Sequence, residues 1–179
     1  MLPDIMQTNL DIVFVGTAKS VMSVSVGHYY GNPMNHFWKL LHAARFTESL
    51  LTAADDATLP SFGIGLTDLV SERAASSDAL LVRDDFDPGG FVDRMLRWEP
   101  EVVAFNGKNS ASYVARFLKQ PRPEYGPQSW AIGSSLVYVL PASSSANARG
   151  GYDAKAQQWR QCKLWCDKGS SEKLRRTNF

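Results

Sequence analysis

The stretch Asp11-Ile-Val-Phe-Val-Gly-Thr-Ala-Lys-Ser20, running on to Gly27-His-Tyr-Tyr-Gly-Asn-Pro-Met-Asn-His-Phe-Trp38, constrains the chain more than any other. Ile12 to Val15 is a β-branched and aromatic run that stops at Gly16, the pattern of a buried strand ending in a sharp turn. An open parallel α/β sheet places its ligand outside the carboxyl ends of its strands. The residues after Gly16 are therefore expected where a small ligand would sit. A dense aromatic loop follows, His28-Tyr29-Tyr30-Gly31. Asn32 suits a helix N-cap and Pro33 the first helical position, after which Phe37, Leu40, Leu41 and Ala44 recur at helical spacing.

Ser61 to Val70 reads as a second strand, with Gly63 and Gly65 where backbone or ligand must come close and Asp68 near its end. Val102 to Phe105 is a third strand, closed by Asn106-Gly107. Trp130 to Leu140 reads as a hairpin around Gly133-Ser134, whose second half is a fourth core strand. Between these, Phe91, Val92, Met95, Leu96 and Trp98 pattern as a helix ending before Pro100. Lys108 to Leu118 forms another, with Tyr113, Val114, Phe117 and Leu118 as its apolar stripe. A last helix carries Tyr152, Ala156, Trp159 and Cys166 on one face. Thr47 to Pro60 is read as a loop or short helical turn, Ser71 to Pro88 as polar surface, and Pro141 to Gly151 as a small-residue loop. Alternating strands and helices predict a single α/β domain over residues 1–169. Its mainly parallel four-stranded central sheet is covered by helices on both faces, with a basic tail at 170–179.

With 179 residues the chain can bury one good core, and 44% hydrophobic with 21% charged residues fits an ordinary soluble protein. No apolar run approaches the roughly 18–20 residues of a membrane span, and Met1–Leu10 lacks a signal-peptide pattern. No membrane association, a cytoplasmic location and a monomer are the expectations. Cys162 and Cys166 are too few for a disulfide framework, and no histidine lies near to complete a metal site, so they read as buried thiols. No metal or cofactor is expected. Net charge is +1, but acids concentrate between Asp55 and Glu101, whereas Arg149, Lys155, Arg160, Lys163, Lys173, Arg175 and Arg176 make the end basic. One basic face can bind phosphates at near-zero total charge; solvated helix faces would give the same pattern.

The first stretch resembles the first motif of the mismatch-specific uracil/thymine DNA glycosylases of the uracil-DNA glycosylase superfamily: Gly-Ile-Asn-Pro-Gly, Gly-aromatic-x-aromatic, then Pro-x-Asn-Arg/His-Phe-Trp. Gly16, Gly27, Tyr30, Pro33, Asn35, Phe37 and Trp38 fall into register with it. Ala18 stands where that family carries its water-positioning Asn, and Lys19-Ser20 replace Pro-Gly. Gly63-Ile-Gly-Leu-Thr-Asp-Leu-Val70 resembles the family's second strand and Phe105-Asn-Gly-Lys108 its third strand and turn. Tyr125-Gly-Pro-Gln128 with Val139-Leu-Pro-Ala-Ser-Ser-Ser-Ala-Asn147 resembles the lead-in and second motif, the loop that enters the duplex. Four blocks in order over about 130 residues carry the resemblance.

The resemblance implies an enzyme that extrudes a uracil, or another deaminated base, into its pocket and hydrolyses the N-glycosidic bond. The product would be an abasic site, as in base excision repair. Tyr30 is expected to stack on the base, and amides around Thr17, Ala18, Lys19 and Ser20 to bind its carbonyl. Ser23 would crowd a thymine methyl and favour uracil, by no more than about 1–3 kcal/mol. Hydrolysis develops positive charge on the sugar and negative charge on the departing base, which calls for a group to hold water and donors for the base. Ala18 can do neither, so Asp68 is the leading catalytic candidate, as water-orienting carboxylate or as acceptor for the base N3–H. A turn or N-cap aspartate is the plain alternative.

His28 is the second candidate, donating to the base or a phosphate, and Asn35 is expected near the site or bonded within its own helix turn. His36 and His42 read as surface or packing residues. Ser143, Ser144 and Ser145 would grip flanking phosphates. Ala146 or Asn147 would fill the gap left by the base, and Arg149 and Lys108 would also meet DNA. So small a wedge implies weak demands on the opposite base and action on single as well as double strands. Two rivals remain: a protein that binds uracil or other lesions in DNA without cutting, and a nucleoside- or nucleotide-handling α/β enzyme.

Overall fold

A computed structural model of the chain describes residues 2–145 and 151–177, with residues 170–177 as backbone only. Five strands form one sheet: β1 (Ile12–Ala18), β2 (Ile64–Val70), β3 (Val102–Asn106), β4 (Gly126–Ile132) and β5 (Ser135–Leu140), in the order β2-β1-β3-β5-β4. β1 runs parallel to β2 and β3, and β3 parallel to β5; only β4 is antiparallel, as the edge strand of a hairpin with β5. The four expected core strands are thus present, and the first half of the hairpin supplies a fifth. Helices α1 (Val21–Val26), α2 (Phe37–Ala43), α3 (Pro88–Trp98), α4 (Lys108–Phe117) and α5 (Gly151–Thr177) connect and cover them, with a 3-10 helix at Ala53–Phe62 before β2.

Strand side chains alternate between faces with period two, and the core divides accordingly. Ile12, Phe14, Ile64, Leu66, Val102, Ala104, Tyr138 and Leu140 face α2 and α5, meeting Phe37, Leu40, Leu41, Trp159 and Cys162. Val13, Val15, Leu69, Val103, Phe105, Val137 and Val139 face α3 and α4, meeting Phe91, Met95 and Val114. Trp159 is the keystone of the first layer. Its ring stacks on Phe14 at 5.3 Å between centroids, and its Nε1 donates to the Pro141 carbonyl at 3.1 Å.

Three local expectations change. β1 does not end at Gly16 but continues to Ala18, because Gly16 and Ala18 pair with Asp68 and Val70 of β2. Ser20 then caps a short helix, α1, which ends at Gly27 in the left-handed region (φ 77°). α2 starts at Phe37 rather than Pro33: Asn32 Oδ1 accepts from Met34 N and Asn35 Oδ1 from Phe37 N, making two tight turns where one longer helix was expected. Residues 146–150 and 178–179 lie outside the described residues, and with them the expectations for Ala146, Asn147 and Arg149. α5 continues through Thr177, across most of the segment read as a basic tail.

Candidate functional site

Parity along the strands decides which side chains reach the site. Gly16 follows Ile12 and Phe14 on the α2/α5 face, Asp68 follows Ile64 and Leu66, and Asn106 follows Val102 and Ala104. All three emerge on that face at the carboxyl ends of adjacent parallel strands. There they open into a cleft of about 520 Å3, lined by Thr17, Ala18, Lys19, Ser20, Ser23, Tyr29, Tyr30, Asn35, Asp68, Asn106, Lys108 and Ser144, with residues 75–78 on its rim. A wider, shallow depression of about 840 Å3 between His42, Phe46 and Phe62 contains none of the strand-end residues.

The carboxylate of Asp68 lies directly over the backbone of Gly16. A Cβ at position 16 would come within 2.2 Å of Asp68 Oδ1 and 3.6 Å of the Tyr30 hydroxyl. Glycine is required here for close approach rather than for a turn. Asp68 is buried; its Oδ2 is 3.4 Å from Lys19 Nζ and accepts no hydrogen bond among the described residues. Burial pushes its carboxyl up to about 6, against the pull of Lys19 and with a push from Asp4.

Tyr30 has a left-handed backbone (φ 50°), a costly conformation for an aromatic residue. Three contacts hold it there. Its ring stacks on Phe37 at 3.8 Å between centroids, its carbonyl accepts from Trp38 Nε1 at 3.3 Å, and its hydroxyl accepts from Asn106 Nδ2 at 3.1 Å. Burial and the Asp68 charge both push the Tyr30 hydroxyl up, so it stays protonated. Asn106 also donates to Ser143 Oγ at 2.8 Å and accepts from Ser143 N at 2.8 Å. The end of β3 thereby ties the aromatic loop to the serine loop.

The structure gathers Thr17, Ala18, Ser20, Ser23, Tyr30, Asn35, Asp68, Lys108 and Ser144 around one cleft and gives several of the others different work. Ser23 lines the cleft, but its hydroxyl accepts from Gly31 N and Ser20 Oγ and so shapes the loop from within. Asn35 combines both expected positions, at the cleft and bonded to the first residue of α2. His28 is not brought to the cleft: its Nδ1 is 3.1 Å from Asp56 Oδ1, and Asp56 Oδ2 accepts from Tyr29 N. Ser143 is fully buried, with its amide and hydroxyl bonded to Asn106 and its carbonyl to His36 N, so it anchors the loop. Ser144 lines the cleft, and Ser145 follows it as an exposed residue. Lys155, expected on a basic surface, is buried with its ammonium bonded to the Ser144 carbonyl, and burial lowers its proton affinity. The Lys108 ammonium is bonded to Glu124 at 2.6 Å.

Sequence reasoning missed the cluster around Asp68. Lys19, expected to offer only its backbone, turns its ammonium inward between Asp68 and Asp4, 3.5 Å from Asp4 Oδ1. The Tyr29 hydroxyl donates to Asp4 Oδ1 at 3.2 Å, Thr67 Oγ1 donates to Asp4 Oδ2 at 2.6 Å, and Arg94 Nη2 donates to the Asp68 carbonyl at 2.8 Å. No local pattern marks Asp4 or Arg94, which lie in the N-terminal segment and on α3. Asn106 showed only as half of a turn signal. Cys162 is buried in the core, where burial raises its thiol.

An open, mostly parallel sheet with a polar cleft at its strand ends and an aromatic ring beside a buried carboxylate defines an α/β protein whose candidate site lies where such folds bind their ligands. The family model of the uracil DNA glycosylase superfamily matches residues 3–167, and the chain belongs to that superfamily. It is also similar to the solution NMR structure of a candidate uracil DNA glycosylase from Methanosarcina acetivorans. The TM-score is 0.62 at 23% identity, covering 93% of this chain and 96% of that one. At that identity the likeness speaks for the fold alone.

Proposed function

We propose that the protein is a monofunctional DNA glycosylase that hydrolyses the N-glycosidic bond of uracil, or of another deaminated base, in DNA and leaves an abasic site. The observation that supports this reading most is the pairing of Asp68 with Tyr30 on one cleft, around a glycine whose replacement by any larger residue would displace the carboxylate. The flipped base lies against the exposed part of the Tyr30 ring, and Thr17, Ala18 and Ser20 border its edge. The Asp68 carboxylate, buried and paired through Oδ2 with the Lys19 ammonium, accepts from the attacking water. As the C1′–N bond breaks, its electron pair leaves with the base, the water oxygen bonds C1′, and the water proton passes to Asp68. The carboxylate also offsets the positive charge that develops on the sugar. Ser144, Ser145 and Lys108 face the DNA backbone; Asn147 fills the gap the base leaves and Arg149 meets a phosphate or the widowed base, both assigned from their place in the second motif.

Single-turnover assays test this on duplexes bearing uracil, hypoxanthine or thymine opposite guanine, and on single-stranded uracil. Cleavage of a deaminated base, lost by about 100-fold or more in Asp68→Asn, is the expected result. A rate within a few fold of wild type in that variant would remove Asp68 from the chemistry. Ala18 places only a methyl where the superfamily motif has its water-positioning Asn, and this favours one second reading, a protein that holds a lesion without cutting it. Tight binding of uracil DNA with no base release would select it.

A further inference from the structure

Two groups beside Asp68 take no part in the chemistry above, yet both are charged and close to it. Lys19 is buried at the end of β1, with Nζ 3.4 Å from Asp68 Oδ2 and 3.5 Å from Asp4 Oδ1. Asp4 arrives from outside the sheet. The N-terminal segment bridges the free edge of β2 through reciprocal hydrogen bonds between Ile5 and Leu66, each 2.9 Å. Gly65 is needed for that approach, since a Cβ there would meet the Ile5 carbonyl at 2.8 Å.

We propose that Lys19 and Asp4 are opposed positioning residues for Asp68: the Lys19 ammonium holds Asp68 toward the cleft as an anion, and Asp4, sharing the same ammonium, limits that hold. The inference rests on the reading of Asp68 as the working carboxylate. A buried ammonium paired with one carboxylate alone would keep it a weak base; a second carboxylate divides the attraction and leaves Asp68 able to take a proton from water.

The remaining groups around the pair are accounted for. Thr67 and Tyr29 both donate to Asp4, the Tyr29 hydroxyl also lies against Asp68 and draws its carboxyl down, and the Lys19 ammonium lies 5.4 Å from the centroid of the Tyr29 ring. Arg94, on α3, holds the Asp68 carbonyl and lies 3.4 Å from Asp4 Oδ2, so its charge is spent largely on Asp4. The Tyr30 hydroxyl is neutral and bonded to Asn106. Asp78, on the rim, is bonded by Asn109. The directions of the two influences agree with this arrangement: Lys19 draws the Asp68 carboxyl down and Asp4 pushes it up.

The test follows the Asp68 carboxyl directly, by carbon NMR titration of the full-length protein without DNA, its signal identified by its loss in Asp68→Asn. Lys19→Met is expected to raise the Asp68 midpoint and Asp4→Asn to lower it, each by about one pH unit, a tenfold change in proton affinity. Lys19→Arg is expected to restore most of the wild-type midpoint. The acid limb of the single-turnover rate should move the same way in each variant. Asp4→Asn keeps the side chain's shape and one of the two acceptor oxygens that Tyr29 and Thr67 use, so it reports even if Lys19→Met fails to fold. Midpoints that stay put, or that shift in the same direction in both variants, overturn the proposal. Opposite shifts in a protein that cuts no lesion would uphold the pair while removing the glycosylase reading.

Discussion

Gly16 and Asp68 form a pair in which each residue depends on the other. Gly16→Ala puts a methyl where Asp68 Oδ1 now lies, and a strand interior gives the backbone little room to yield. The expected outcome is a folded protein with base release reduced by about 100-fold or more, checked by single-turnover rates beside circular dichroism. Asp68 itself should cost stability. Its folded carboxyl is raised from 3.8 to about 6, so the folded state takes up the proton more readily than the unfolded chain. The cost of burying the charge is absent below about pH 4, grows as pH rises through about 6, and is complete above it. Asp68→Asn is therefore expected to stabilise the fold at pH 7 by about 1–3 kcal/mol and to leave it nearly unchanged at pH 4, measured by urea unfolding at both values. Asp68 was legible in the sequence because it closes a β-branched and glycine run. Lys19 was read only as part of a turn, since nothing in its neighbours tells that its side chain folds back into the sheet end.

At the scale of elements, the end of β3 locks two loops together. Asn106 makes one bond to Tyr30 and two to Ser143, and without it the Ser143 amide is left buried and unpaired. Asn106→Ala is expected to cost about 2–4 kcal/mol in chemical denaturation, and to weaken base release further by freeing the Tyr30 ring. The long elements were readable because their patterns are periodic: β3 and α4 lie close to their expected bounds, and β2 and α3 keep their expected ends at Val70 and Trp98, though they begin at Ile64 and Pro88. The short ones were not. α1 has six residues, several β-branched, and no acidic residue in its first turn, so its sequence carries no helical period. The Asn32-Pro33 pair satisfies the rules of a helix start and of a turn equally. A backbone bond from His36 N to the Ser143 carbonyl of the serine loop holds the turn form.

The whole molecule is a sheet clamped between two helical layers, and α5 seals the layer beneath the cleft. Trp159 touches Phe14 of β1 and Phe37 of α2, the residue on which Tyr30 stacks. Trp159→Ala is expected to cost about 3–5 kcal/mol and to lower the melting temperature, followed by calorimetry. Long-range charge gives a further expectation. If the cleft mouth and the basic end of the chain face phosphates, log affinity for lesion-free DNA should fall linearly with log salt, at about −0.9 per phosphate neutralised. A flat plot would remove that surface. Among the described residues no helix is long and apolar enough to cross a membrane.

By itself the sequence determined the alternation of strands and helices, the strand ends that carry Gly16, Asp68 and Asn106, and the aromatic residue beside them. These follow from period-two and period-3.6 patterns, which are local properties of a chain. Only the tertiary structure decided which charges Asp68 meets. Asp4 and Asp68 are far apart along the chain, and they come together because the N-terminal segment adds to the free edge of β2, a contact recorded in no nearby residue. The energy that sets a buried carboxylate depends on such neighbours and on the exclusion of water, both of which exist only once the layers have closed.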